Sequence, residues 1–591
     1  MSMNIPENKD SLRLVLNSFA KLLAWVWKVD RFSIFLSIIV ALLMSFQTIF
    51  LILLPKLFVD SLLEGDSRKA ISLLCVYVIV CTIFLVILSV SGYFFNILKL
   101  KRKYKVAGDM MFRTVDLQLE HVENGPFMDY YTRTFNNIQA ATDSVVNIFG
   151  AFVHAVLNII AVISILSWIN TFLLALLIVV VLVDVLVNIT TSKIAYSSEV
   201  SVQKEEKRLN SLSRIFFLPN SIREIKTLRF SSIVRAKFIE TKENTIRTKQ
   251  KFKKKELKLG FLSSFITELS PVMPMSYFGY CVITGSIDIS SYFMYNNAYI
   301  TLRQSLKSLM DAIPKIYSTG LYSKDYFEYM ENSTISELKN VDGLEMDTIE
   351  SIEFKAVSFR YKNSRVYALR NVSFSIKKGD KVAFIGKNGA GKTTIMKIMM
   401  GLYEPTEGTI LVNGVDIKLY NLDSLRKNFG VLFQDFYLFP FTIRENLMLD
   451  DCNEPEAKEL LAKFGLDKKV DSLKSGLDTG ISPQFCDDFT NFSGGETQKL
   501  AIIRLILQTQ NSCIVLDEPT SNLDPESEYI LYKSILSEIT SDKIVIAISH
   551  RLVMTTKMDR IFVVDNGGIA ECGTHHELIS SGGLYADMFS I

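Results

Sequence analysis

The sequence predicts a helical membrane domain of six spans followed by an α/β domain, and three observations predict it. Apolar residues bunch in the first half of the 591-residue chain, and the mean hydropathy is +0.24. After about residue 350 the pattern changes to β-branched strand-like runs alternating with helical ones, as in an α/β domain. Within that second half, Gly386-Lys387-Asn388-Gly389-Ala390-Gly391-Lys392-Thr393-Thr394 follows the strand-like run Lys381–Ile385 and opens the helical run Ile395–Met400. A glycine-rich turn in this setting lets backbone N–H groups and a helix N-terminus close around phosphate oxygens, with Lys392 on the β/γ-phosphates and the Thr393 hydroxyl on Mg²⁺. The fold class is therefore an α-helical six-span transmembrane domain followed by an α/β P-loop nucleotide-binding domain.

Residues 1–30 carry an amphipathic pattern (Leu12, Val15, Leu16, Phe19, Leu22, Leu23, Trp25, Val26) without a small-residue cleavage site, which predicts an interfacial helix rather than a signal peptide. Crossing the hydrocarbon core takes about 20 apolar residues, and six runs qualify: 32–55, 70–98, 145–167, 171–190, 261–284 and 291–313. Their connections alternate between tight turns and the long polar segments 99–144 and 191–260. Lys99, Lys101, Arg102, Lys103 and Lys105 crowd the first long segment, and Lys249, Lys251, Lys253, Lys254, Lys255 and Lys258 the second. Such asymmetry places both long loops and both termini in the cytoplasm. The run at 249–258 reads as the solvated face of a long helix.

Asp184, Asn188, Glu268, Arg303 and His154 fall inside the spans. A charge at membrane depth costs about 2.5–3.5 kcal/mol on insertion scales and must face a wet cavity or a partner. Asp184, Glu268 and Arg303 thus either line a substrate path or form an ion pair, Asp184–Arg303 or Glu268–Arg303; His154 reads as packing. Pro271 and Pro274 predict a kink in the fifth span. The seven cysteines show no metal or redox spacing and read as reduced and mostly buried. A formal net charge of +3 implies no nucleic-acid partner.

Polar, acidic residues 331–350 mark a linker, which divides the chain into a transmembrane domain at 1–330 and a nucleotide-binding domain at 351–591. In the latter, the strand Cys513–Leu516 ends in Asp517 and Glu518, where one carboxylate can hold the Mg²⁺ shell and its neighbour can polarise water. Lys543–Ser549 is a second buried strand and delivers His550 at its carboxyl end, where ligands gather in open α/β sheets. Alone, His550 would read as a core histidine.

The set as a whole resembles ATP-binding-cassette proteins, through the P-loop, Asp517-Glu518, His550 and the signature-like Phe492-Ser493-Gly494-Gly495-Glu496, residue by residue over 350–591. The resemblance implies ATP and Mg²⁺ as cofactors. It also implies an adenine-stacking role for Tyr361 and phosphate contacts from Gly386, Asn388, Gly389, Gly391 and Thr394. Ser493, Gly494 and Gly495 would touch the nucleotide of another chain, and Asp524 would lie in the loop across that interface. Gln434 would sense the γ-phosphate and belong to the Mg²⁺ shell, Glu518 would be the base, and His550 the switch. Six spans and one cassette resemble a half-size type IV exporter. The wording Ala368–Phe374, Gly386–Gly389, Val431–Phe436, Leu516–Pro519 and Glu224–Leu228 is similar to that of bacterial lantibiotic (nisin-type) peptide exporters.

This likeness implies a dimer with a second copy or a paired half-transporter, and a bacterial plasma membrane with the cassette in the cytoplasm. It also implies a small modified peptide as substrate, with a lipid or hydrophobic drug as the alternative, or a membrane ATPase adapted to uptake or to no transport. Short helices near Pro126–Tyr131 and Leu212–Arg223 would dock on cassettes. Three departures stand out: Phe492 and Glu496 where the family usually has Leu and Gln, Cys486-Asp487-Asp488-Phe489 in place of an acidic stretch, and no room in 1–30 for an amino-terminal peptidase domain.

Overall fold

A computed structural model describes residues 12–166, 205–206, 208–216, 219–269, 271–332, 343–362, 364–447, 454–508, 511–517, 542–549 and 552–589. The chain divides into two compact units. One is formed by Met1–Val115 with Asp129–Asn332, the other by Asp116–Met128 with Ser333–Ile591.

The first unit is helical: α1 (Leu12–Val29), α2 (Arg31–Leu63), α3 (Ser67–Val115), then, after the four-residue α4 (Leu119–Val122), α5 (Gly125–Leu166), α6 (Pro219–Thr227), α7 (Ser231–Leu269), α8 (Val272–Ile283) and α9 (Ile289–Glu331). In α1 the buried residues Val15, Leu22 and Val26 share one face, the helical spacing the sequence showed. That face lies on α9 at Gly320, where an added Cβ would stand 2.5 Å from both the Val15 carbonyl oxygen and its Cγ1. Helix α2 inverts the pattern of a water-soluble helix: its buried stripe is Ser33, Ser37, Ala41 and Ser45 at four-residue spacing, while Phe32, Phe35, Ile39, Leu42 and Phe46 are exposed. Small inward residues let helices approach closely, and large apolar side chains turned outward suit lipid. An added Cβ on Gly150 of α5 would come 3.4 Å from the Ser37 Cβ.

Among the described residues three helices are long and apolar enough to cross a membrane, in the ranges Arg31–Leu63, Ser67–Val115 and Gly125–Ile165. The count of six expected spans is reached neither by α7 and α8 nor by α9. The run 261–284 is divided, with α7 ending at Leu269 and Pro271 capping α8, as a proline that removes a backbone donor dictates. The run 291–313 lies within the continuous α9, but Asn296, Asn297, Arg303, Gln304 and Lys307 dilute it. The run 171–190 lies outside the described residues. Lysines of the 249–258 run are exposed on α7, and Lys249 pairs with Glu206 at 2.5 Å.

At one end of this bundle a charged cluster is buried. Asp30 caps α2 by accepting from the Ser33 N–H at 3.2 Å and pairs with Arg102 of α3 at 2.7 Å; both side chains are under 5% exposed. Ser33 contributes its hydroxyl to the same pair. Asp143 of α5 approaches Arg102 at 3.4 Å and Lys99 at 3.0 Å. The expectation of mostly buried cysteines is corrected: of the six described, only Cys513 is buried, while Cys75 and Cys572 are exposed. Cys75 is exposed because α3 turns nearly all its apolar side chains outward.

The second unit is α/β. Strands β1 (Ser351–Phe359), β2 (Leu369–Lys377), β4 (Glu407–Val412) and β5 (Val415–Asp416) form an antiparallel sheet in the order β2-β1-β4-β5. Strands β3 (Lys381–Ile385), β6 (Phe429–Leu432), β7 (Cys513–Asp517), β8 (Ile544–Ile548), β9 (Arg560–Asp565) and β10 (Gly568–Gly573) form the second sheet, ordered β10-β9-β3-β8-β7-β6. There β6, β7, β8, β3 and β9 run parallel. Strands β7 and β8 are buried throughout, which is why they read as continuous apolar runs rather than alternating ones.

Candidate functional site

Parallel strands bring their carboxyl ends to one edge of the sheet. Strand β3 runs directly into the glycine loop, β7 ends on Asp517, β6 leads to Gln434, and β8 ends one residue before Ser549. Between Ile385 and the helix Lys392–Met399 the chain turns too sharply for ordinary residues. Gly386 (φ 152°) and Gly391 (φ 110°) both have positive φ, and an added Cβ would meet the Val564 carbonyl oxygen at 2.2 Å and the Ala368 carbonyl oxygen at 2.7 Å respectively. Only glycine fits there. Asn388 and Gly389 form the exposed rim of the loop, and Thr394 is buried beneath it.

Lys392 is buried, and its Nζ donates to the carbonyl oxygens of Gly386 at 2.7 Å and Lys387 at 3.1 Å. The loop thus fixes an ammonium within its own turn. The Thr393 hydroxyl donates to Oδ2 of Asp517 at 3.3 Å, and Asp517 is itself buried. A hydroxyl and a carboxylate meeting beside a phosphate-type loop are hard oxygen donors of the kind Mg²⁺ takes, usually with waters and substrate phosphate completing its shell. These residues therefore fit the expected metal. Tyr361 links its hydroxyl to that of Thr394 at 3.0 Å and meets the rings of Phe359 and Tyr403 edge-on at 4.9 and 5.5 Å. Gln434 is exposed on the turn after β6.

The structure therefore brings together Tyr361, the glycine loop, Lys392, Thr393, Thr394 and Asp517. Glu518, Asp524 and His550 lie outside the described residues. Ser493 is the N-cap of a second helix, Gly494–Leu507, in a reciprocal capping box: Glu496 N–H donates to the Ser493 hydroxyl at 3.3 Å, and the Ser493 N–H donates to the Glu496 carboxylate at 2.7 Å. Gly494 and Gly495 begin that helix, where unpaired backbone N–H groups point outward. Lys469, a residue no motif signalled, also reaches Glu496, at 2.7 Å.

Of the expected docking stretch Pro126–Tyr131, residues 126–128 belong to the segment Asp116–Met128 that folds with the second unit, and Phe127 there is buried, while 129–131 belong to the first unit. Sequence reasoning missed the acidic residues just before it, which also hold the segment. Glu123 accepts from Lys397 at 2.8 Å and from the hydroxyl of Tyr403, while Glu120 pairs with Lys362 at 2.9 Å. The reason is electrostatic: two carboxylates one helical turn apart meet two lysines and a tyrosine of the cassette. Burial pushes the Glu123 carboxyl up, but the hydrogen bonds from Lys397 and Tyr403 outweigh it and hold the group below its ordinary range. A cavity of 830 Å³ beside this segment is lined by Gln118, Glu120, Arg360, Lys362 and Tyr403. It does not open over the glycine loop. Leu212–Arg223 belongs to the first unit.

Of the residues considered for a substrate path in the membrane unit, only Arg303 has its side chain among the described residues. Arg303 is half-buried on α9, next to Leu302 of an apolar cluster with Ile52, Val162, Met294, Ala298 and Tyr299. Glu268 falls on the last turn of α7 with its side chain outside the described residues, and Asp184 lies outside them altogether.

The description "ABC transporter" matches residues 369–521. Over 86% of this chain and 85% of its own length, the subtilin transport ATP-binding protein SpaT of Bacillus subtilis is 29% identical. The nisin transport ATP-binding protein NisT of Lactococcus lactis subsp. lactis is 26% identical over 98% of this chain and 96% of its own. Among solved structures, a bacterial Atm1-family ABC exporter with ATP bound aligns at a TM-score of 0.79 and 22% identity, covering 98% of this chain and 99% of that one. At that identity the likeness shows a shared fold.

Proposed function

Since this chain is an ATP-hydrolysing membrane transporter built on the ABC transporter domain, we propose that it is an exporter of a small modified peptide, working as a dimer by alternating access. The observation that carries the nucleotide half of this reading is the glycine cradle with Lys392 fixed inside it and the Thr393 hydroxyl on Asp517. Similarity along most of the chain to SpaT and NisT supports the peptide half.

In this reading Lys392 and the loop N–H groups neutralise the β- and γ-phosphates, and Tyr361 offers its ring to adenine. Thr393, Asp517 and Gln434 would hold Mg²⁺, which would supply further neutralisation of phosphate charge. Glu518 accepts a proton from the water that attacks the γ-phosphorus as its bond to the bridging oxygen breaks, releasing ADP and phosphate. His550 and Asp524 complete the site, and Ser493, Gly494 and Gly495 of the partner chain face the same phosphate. The nucleotide's preference for closed cassettes shifts the membrane unit between its states. The remaining spans, including 171–190, complete the six, in a bacterial plasma membrane with the cassette on the cytoplasmic side. Asp184 and Glu268, with Arg303 as counter-ion, form the cationic-peptide path.

The test uses inverted vesicles containing the chain and a labelled lysine-rich lanthionine peptide. ATP-dependent accumulation that is lost in Glu518→Gln supports the reading. Movement of a fluorescent phospholipid with no movement of peptide would replace it with lipid export.

A further inference from the structure

The two unusual signature residues, Phe492 and Glu496, meet at a single side chain. Lys469 lies in the short helix Asp467–Asp471, well before the signature in sequence. Its Nζ stands 2.7 Å from Glu496 Oε2, 3.1 Å from the carbonyl oxygen of Asn491, and 4.6 Å over the centroid of the Phe492 ring. Glu496 Oε2 is also the atom that accepts the Ser493 N–H. One ammonium therefore grips the residues on both sides of Ser493.

An ammonium at a helix N-terminus is unfavourable on its own, since the helix dipole is positive there. Each contact offsets this: the carboxylate by charge, the carbonyl by its lone pair, and the aromatic face by its quadrupole. The carboxyl of Glu496 is held below its ordinary range, first by the hydrogen bond from Lys469 and then by the Ser493 N–H, so it meets Lys469 as a carboxylate. Phe492 packs on the core beneath the signature helix, which anchors the ring that Lys469 covers. With leucine and glutamine in these positions neither the ring face nor the carboxylate would exist. The substitutions thus read as a matched set with Lys469.

We propose that Lys469 is a positioning residue for ATP hydrolysis: by clamping Asn491, Phe492 and Glu496 it sets the position of Ser493 and the first turn of its helix against the phosphate of the partner chain's nucleotide. It also cancels the Glu496 charge, which would otherwise repel that phosphate. The inference rests on the reading above, in which Ser493 faces a partner's nucleotide.

The experiment compares full-length wild type, Lys469→Met, Lys469→Arg, Lys469→Met with Glu496→Gln, and Lys392→Ala in nanodiscs. For each it measures ATPase kcat, nucleotide affinity by fluorescent-analogue displacement, and Tm. Misplacement of a positioning group by about 1 Å costs up to about a hundredfold in rate. Lys469→Met is expected to lose about tenfold or more in kcat, with affinity within about twofold of wild type because its own P-loop is untouched. Lys469→Arg keeps the charge and the ring contact and recovers most of kcat, and Glu496→Gln restores part of it by removing the unpaired carboxylate. A merely structural lysine would lower Tm and leave kcat per folded molecule unchanged. That result, or failure of arginine to rescue, overturns the proposal while the ATPase reading stands on wild type and Lys392→Ala. Wild type no faster than Lys392→Ala would overturn both.

Discussion

Lys392 is the one buried lysine among the described residues, and burial of an ammonium costs free energy unless it is hydrogen-bonded or paired. Here its Nζ donates to two carbonyl oxygens of the turn, with the Thr393–Asp517 contact on the same loop. Lys392→Ala is therefore expected to lose nucleotide affinity and to reduce ATPase kcat by about 10²–10³, the range seen when one donor to a transition-state anion is removed; unchanged affinity in a filter-binding assay would contradict the assignment. These residues were legible because a P-loop fixes its chemistry within nine consecutive positions. Lys469 was not, since its partners Asn491 and Glu496 are 22 and 27 residues away and no local pattern links them.

Helices and strands hold the next layer. The Asp30–Arg102 pair joins α2 and α3 with both side chains under 5% exposed, and Asp143 ties α5 to the same guanidinium. Removing one member of a buried pair strands the other charge, so Arg102→Leu is expected to cost about 3–5 kcal/mol of stability. Adding Asp30→Asn should recover much of the loss in detergent melting temperature; additive losses would argue that the pair is not coupled. The Asp116–Met128 segment responds to pH instead. Glu123 has a folded-state pKa below its ordinary 4.5, so its contribution is fully present above that value and is lost as pH falls through the lower folded value. The hydrogen-exchange protection of residues 116–128, taken relative to the intrinsic exchange rate at each pH, is expected to fall on acidification below about pH 4.5 in wild type. In Glu123→Gln that protection should already be low at neutral pH, with little further change. The resemblance pointed to the adjoining Pro126–Tyr131, and Glu120 and Glu123 were not legible because their partners lie 242 to 280 residues later.

At the scale of the whole molecule each chain carries one P-loop and one signature-like run, so the composite sites of the proposed function would need two chains. Ser493→Arg and Lys392→Ala chains are each expected to be nearly inactive alone. In a mixed dimer both lesions collect in one site and leave the other intact, so mixing should restore a fraction of wild-type ATPase. Heterodimers that form without regaining activity would exclude the composite arrangement. The division into a helical unit and an α/β unit was legible from hydropathy and strand pattern, because membrane and water impose opposite surfaces. The count of spans was less legible: Asn296, Asn297 and Arg303 make α9 too polar to qualify by composition, and Pro271 splits the preceding run into α7 and α8.

The charged cluster at the end of the bundle bears on how the chain is made. Asp30 and Arg102 are 72 residues apart, and Arg102 and Asp143 another 41. Synthesis delivers these groups as anion, cation, anion, with Lys99 and Arg102 both on α3, the middle helix. The α2–α3 hairpin therefore carries within itself the cation that neutralises its acidic cap. Helix α5, emerging later, finds Lys99 waiting for Asp143. The whole of the buried ion pair thus lies within residues 30–102, and only the more exposed Asp143 comes from a later helix.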